Sequence, residues 1–206
     1  MMMTNGTVAS LLRPSEKTWA GFYDIGLIFA GSFLIALSAK VQLLLPFSPV
    51  PITGQTFAVL MIGALLGSRR GSLAVLAYLI QGAAGMPVFA FGGGFAVLLG
   101  PTGGYLIGFI PAAYLTGWLA DKGWDRRIGT TLLVMIFGNI AIYTCGLLWL
   151  ICLMGLSAKV FTVGVYPFII GDLLKIALAA VLLPSGWKLL ESIGLNRLGN
   201  KTEYDA

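Results

Sequence analysis

Four long apolar stretches, residues 24–45, 104–120, 128–154 and 167–190, leave this chain little choice of solvent. A helix that crosses a bilayer needs about 20 such residues, and each stretch is near or above that length. Two shorter apolar stretches, 57–67 and 72–84, lie between the first and second of them. The basic quartet Ser68-Arg69-Arg70-Gly71, read as a tight turn, separates the short pair. The pattern predicts an all-α membrane protein with six transmembrane helices, two of them too short to cross as helix alone. Irregular backbone at membrane depth survives only where protein buries it or a cavity hydrates it. The short helices are therefore the first sign of a pocket, completed by the loops 46–56 and 85–103.

Composition agrees. Of 206 residues 58 % are hydrophobic and 10 % charged, and the mean hydropathy is +0.92. Soluble domains run nearer half apolar and a quarter charged. The formal charge of +5 comes from basic residues scattered in pairs and not from a stripe, which argues against nucleic acid and for lipid as the surrounding medium. Arg13 and Lys17 precede the first span, and Arg69 and Arg70 join the second to the third. Lys122, Arg126 and Arg127 join the fourth to the fifth, and Lys188, Arg197 and Lys201 follow the sixth. The opposite loops hold only Lys159, so the positive-inside rule puts both termini in the cytoplasm. The division expected is a cytoplasmic tail over 1–20, loose to about Ser15, a single domain over 21–192 and a second tail over 193–206. No cleavable signal peptide is expected, because the opening residues are polar.

The outward loops are unlike generic connections. The first reads PFSPVPITGQT, with three prolines that remove backbone donors. The second, GMPVFAFGGGFAVLLGPTGGY, has no charge, three consecutive glycines and three phenylalanines. Glycines admit close approach of a ligand or another segment, and aromatic rings offer flat apolar walls. No Gly-Lys-Ser/Thr follows, so a nucleotide site is not read here. Intramembrane polar residues are few: Lys40, Gln55, Gln81, Asn139, Tyr143, Asp172 and Lys175. Such residues are costly and usually functional. Asn139 and Tyr143 share one helix face, as do Asp172 and Lys175 in the motif GDLLK. Each has a plain alternative: Asp172 as a helix cap, Lys175 as a snorkelling or paired charge, Lys40 as an interfacial anchor and Asn139 as an interhelical hydrogen bond.

Catalysis finds no support. Histidine is absent, and no nucleophile–base pair, carboxylate dyad, metal cluster or ATP motif stands out. Cys145 and Cys152 lie in one apolar segment as inert filler. At this length there is no second half to rock against a first. The residues point to an outward pocket for a small amphipathic solute with an anionic tail.

The motifs PFSPVPITGQT, GSRRG, GMPVFA, LLGPTGGYLIGF, GNIAIYTCG and GDLLK occur in this order between about residues 30 and 190. In them the chain resembles the BioY family, the biotin-specific substrate-binding (S) components of energy-coupling factor (ECF) transporters. That resemblance implies the six-helix S-component bundle, biotin capture on the outer face of a prokaryotic plasma membrane, and no cofactor. It also implies partners: a transmembrane coupling subunit and two cytoplasmic ATP-binding-cassette ATPases. By the same resemblance Asp172 and Lys175 contact biotin, Phe89 and Phe91 wall its ring and chain, and Gln55, Thr53, Tyr78 and Gln81 are further candidates. Gly26, Ala30, Ser32 and Ala36, small residues on the first helix, are expected at the coupling-subunit interface. Two departures stand out. Many members place a cation in the second outer loop, where this chain has Gly92-Gly93-Gly94-Phe95, which moves the carboxylate contact to Lys175 or Lys40. Ile170 stands where proline often precedes the Gly-Asp. A stand-alone facilitator, a membrane enzyme on a lipid-like acid, a purely structural subunit and an S component for another vitamin remain the alternatives.

Overall fold

A computed structural model describes residues 6–193. They form a mostly helical bundle: α1 (Val8–Leu11), α2 (Lys17–Ala39), α3 (Gln55–Leu66), α4 (Ser68–Ala83), α5 (Phe95–Leu99), α6 (Gly103–Asp121), α7 (Ile128–Met154), α8 (Ala158–Gly164) and α9 (Ile169–Ser192). A two-residue hairpin, β1 (Gln42–Leu43) against β2 (Ile52–Thr53), follows α2, with Gln42 opposite Thr53 and Leu43 opposite Ile52. By length and composition α2, α7 and α9 can each cross a membrane.

The helices turn small residues inward and large apolar ones outward. On α2 the buried positions are Ala20, Gly31, Ser32, Ile35 and Ala39, whereas Trp19, Phe22, Phe29 and Phe33 are exposed. Between helices in lipid there is no hydrophobic drive, so contact rests on close packing over small side chains. The most buried helix, α6, illustrates this. A Cβ on Gly117 would lie 2.4 Å from the Ser68 nitrogen, and one on Gly104 would lie 2.2 Å from Cβ of Trp149. Gly63 of α3 meets the Ala113 carbonyl in the same way, at 2.6 Å.

Three boundaries differ from the sequence reading. Helix α2 begins at Lys17 and stops at Ala39, because residues 40–45 leave it to enter the hairpin. Ser68–Gly71 is not a turn but the first turn of α4, and the reversal rests on Gly67 alone, at φ +87°. Asp121, at the end of α6, makes that short reversal work by accepting from the Ser68 backbone (3.2 Å) and hydroxyl (2.9 Å). A carboxylate borrowed from another helix thus caps α4. The N-terminal segment is also not loose throughout: Thr7 and Ala9 are buried, and Arg126 donates to the Gly6 carbonyl at 3.2 Å. Of the second tail, residues 194–206 lie outside the described residues.

Contacts define two ends. At one, Asp24 pairs with Arg13 (2.8 Å) and Arg70 (2.7 Å), and Trp187 donates to Asp125 at 2.6 Å. Asp125 belongs to a short 3₁₀ turn, Trp124–Arg126, and Arg126 stacks over the Trp187 ring at 4.3 Å. At the other end the hairpin meets α9 at Thr53–Lys175 (2.9 Å) and α8 at Ser48–Val163 (2.7 Å), and the loop 84–94 and α5 line one cavity with the start of α9.

Candidate functional site

The loops at this second end are tied to the bundle mainly through backbone oxygens. Lys40, just past α2, donates to the carbonyls of Pro87 (2.6 Å) and Phe89 (3.0 Å), and Gln42 donates to that of Ala90 (3.2 Å). Gly94 returns to the Gly82 carbonyl at 2.7 Å. Phe89 is thereby buried, 1 % exposed, lying on Gly82 with its ring edge-on to Tyr78 at 5.4 Å. Ser48 of the hairpin donates to Val163 of α8 at 2.7 Å, and Trp149 holds the Gly100 carbonyl at 2.9 Å.

Beneath this roof is a partly open cavity of about 610 Å³, its mouth included. Phe89, Phe91, Tyr105, Phe168 and Ile142 supply apolar wall, and Asp172 and Lys175 are the only charged residues among the described ones lining it. Lys175 Nζ donates to Thr56 Oγ1 (2.8 Å), the Thr53 carbonyl (2.9 Å) and Asp172 Oδ1 (3.0 Å). The other oxygen of Asp172 accepts from the Tyr143 hydroxyl, and Thr56 also approaches Oδ1 at 3.4 Å. A half-buried ion pair is stable only with its remaining hydrogen-bonding capacity satisfied, which these neighbours provide. Helix geometry explains the pair: Asp172 and Lys175 are one turn apart on α9, while Thr53 and Thr56 come from the α3 entrance.

Of the other residues singled out in the sequence, Thr53, Gln55, Phe89, Phe91 and Tyr143 also line the cavity. Tyr78 lies behind the wall, hydrogen-bonded by the Gln55 amide. Asn139 borders a smaller void of about 180 Å³ shared with Thr56 and Lys175, and donates to the Met135 carbonyl at 3.1 Å. Gln81 and Lys40 are not lining residues, since Gln81 donates to Ser32 (3.2 Å) and Lys40 to the loop carbonyls. On α2, Gly26 and Ala30 are exposed, whereas Ser32 is buried and Ala36 packs against the core, so the two small pairs face different ways. Sequence reasoning missed Thr56, Tyr105 and Phe168. Thr56 stood beside Gln55 in the first outer motif, where its hydroxyl could have been noticed; the two aromatics carry no signal in apolar helices.

Comparison with known proteins agrees on one family. The BioY family model matches residues 12–192. The biotin transporter BioY of Rhizobium etli is 38 % identical over 159 residues, covering 73 % of this chain and 85 % of that protein. The corresponding transporter of Thermotoga maritima is 40 % identical over 161 residues, 76 % of this chain and 92 % of its own. Among solved structures, the S-component for biotin from an ECF-type ABC transporter superposes with a TM-score of 0.72 at 27 % identity, covering 84 % of this chain and 95 % of that one.

Proposed function

The chain belongs to the BioY family, and from that premise we propose that it captures biotin within the membrane for an ATP-driven importer of the ECF type. The observation that carries this reading is the cavity itself, an aromatic chamber whose only charges among the described lining residues are one carboxylate and one ammonium held together. Biotin has a ureido ring with two N–H donors and a carbonyl, an apolar thiophane ring and an alkyl chain ending in a carboxylate. The fixed pair complements the ureido group: the Asp172 carboxylate has lone pairs left to accept from N–H, and the Thr56 hydroxyl, which accepts from Lys175, keeps its own proton for the carbonyl oxygen. Phe89, Phe91 and Tyr105 then cover the thiophane ring and chain. This is binding chemistry, without a reacting group.

The chain crosses the bilayer six times in this proposal, as α2, α3, α4, α6, α7 and α9, with the cavity outward and both termini cytoplasmic. The gathering of Arg13, Arg70 and Arg126 at the end opposite the cavity supports that orientation. A transmembrane coupling subunit and two ATP-binding-cassette subunits would supply the energy. The exposed strip at Gly26 and Ala30 suits close approach of a coupling helix.

The test is thermal and direct. Purified protein in detergent should melt at a temperature that rises with added biotin, by mass action on the native state. An unchanged melting curve at saturating biotin would overturn the proposal.

A further inference from the structure

The charges in the cavity are already committed to each other. An ammonium has three donors, and all three of Lys175 are taken, by Thr53, Thr56 and Asp172. Asp172 in turn accepts at both oxygens, from Lys175 and from Tyr143. The pair is electrically neutral, and no other ionisable acid or base is among the described lining residues except tyrosine. The two other cations at this end are elsewhere: Lys40 holds the carbonyls of Pro87 and Phe89, and Lys159 is exposed on α8. An ionised carboxylate drawn into these walls would lose its hydration and gain no counter-charge. A ligand's anionic tail therefore remains in water at the mouth, and the walls read the neutral ring and chain.

We infer that this site selects the ring end of biotin and is indifferent to charge at the carboxyl end, so that amide-linked biotin derivatives are ligands on a par with biotin. The inference rests on the biotin-capture reading above. It extends the substrate class to biotin amide and to biotin joined to a lysine side chain.

Calorimetric titration of the purified full-length protein with biotin, biotin amide and 2-iminobiotin tests it. Biotin amide, of equal length and no charge, is expected to bind within tenfold of biotin. The imino analogue, altered only at the ureido carbonyl, is expected to bind at least tenfold more weakly. Leaving a buried cation without its carboxylate would cost roughly thirtyfold or more. A tenfold or greater preference for biotin over its amide therefore overturns the inference, as does an imino analogue that binds like biotin. Lys40→Met addresses the nearest competing cation. The ratio of biotin to amide affinity is expected to stay the same in this variant; a tenfold change would place the carboxylate on Lys40 and overturn the inference. Failure of biotin itself to bind is a different result, which overturns the capture reading.

Discussion

Asp172 and Lys175 are held by the same few neighbours, so neither can be altered alone without stranding the other. Asp172→Asn leaves the ammonium with no counter-charge, and Lys175→Met leaves the carboxylate likewise. Each single substitution is expected to weaken biotin binding by roughly thirtyfold or more. The double variant should lose much less than the product of the two, because the second change removes a charge already stranded. Titration calorimetry on the four proteins closes the cycle, and strictly multiplicative losses would mean that the two groups act separately. The pair was legible in the sequence because two charges in an apolar run are expensive wherever they occur. Tyr105 was not, although its hydroxyl donates to the Gly164 carbonyl at 2.7 Å and its ring meets Tyr143 edge-on. An aromatic residue in an apolar helix looks the same whether it faces lipid, core or cavity.

Among the elements, close helix contacts separate glycines that matter from those that do not. A Cβ on Gly117 would lie between 2.4 and 2.6 Å from backbone atoms of Gly67 and Ser68, whereas one on Gly26 would meet nothing within 4 Å. Gly117→Ala is expected to lower the melting temperature in detergent by several degrees, and Gly26→Ala to leave it unchanged or slightly raised, since alanine suits helix interiors better. Equal effects of the two would contradict the packing described. Lys40 makes a second prediction at this scale. Lys40→Met frees the loop that carries Phe89 and Phe91, so biotin should dissociate several-fold faster, and Lys40→Arg should restore much of the retention. Stopped-flow release of labelled biotin measures both. The sequence placed the helices well where apolar length decides, as in α7, whose bounds were read correctly. It misplaced the ends of α2 and α4 because these depend on partners remote in sequence. Asp121 caps Ser68 from 53 positions away, and no local pattern announces that.

For the whole molecule, the two ends contrast. The cavity end carries only the charges of Lys40 and Lys159 besides one neutral pair among the described residues, while the opposite end buries the carboxylate of Asp125. Asp125 is fully buried, and burial pushes its carboxyl up from 3.8 to about 6, against the Trp187 hydrogen bond and the nearby Arg126, with Asp121 adding to the rise. A folded-state value above the unfolded one means that the native protein binds the extra proton. Its stabilising effect is complete below about pH 4 and is lost as pH rises through 6. Wild type should therefore gain less stability, or lose more, than Asp125→Asn between pH 5 and pH 7. Thermal melts of both proteins at the two values check this, and parallel curves would refute it.

The roof of the cavity is fastened by carbonyl oxygens, which every amino acid possesses. Lys40 and Gln42 grip Pro87, Phe89 and Ala90 without consulting their side chains. Attachment and wall chemistry are thus inherited separately. Ala90 or Phe91 can be exchanged for residues of another size or polarity while the fastening stays as it was. A fold arranged in this way can drift toward new cargo one wall residue at a time, keeping a working lid at every step.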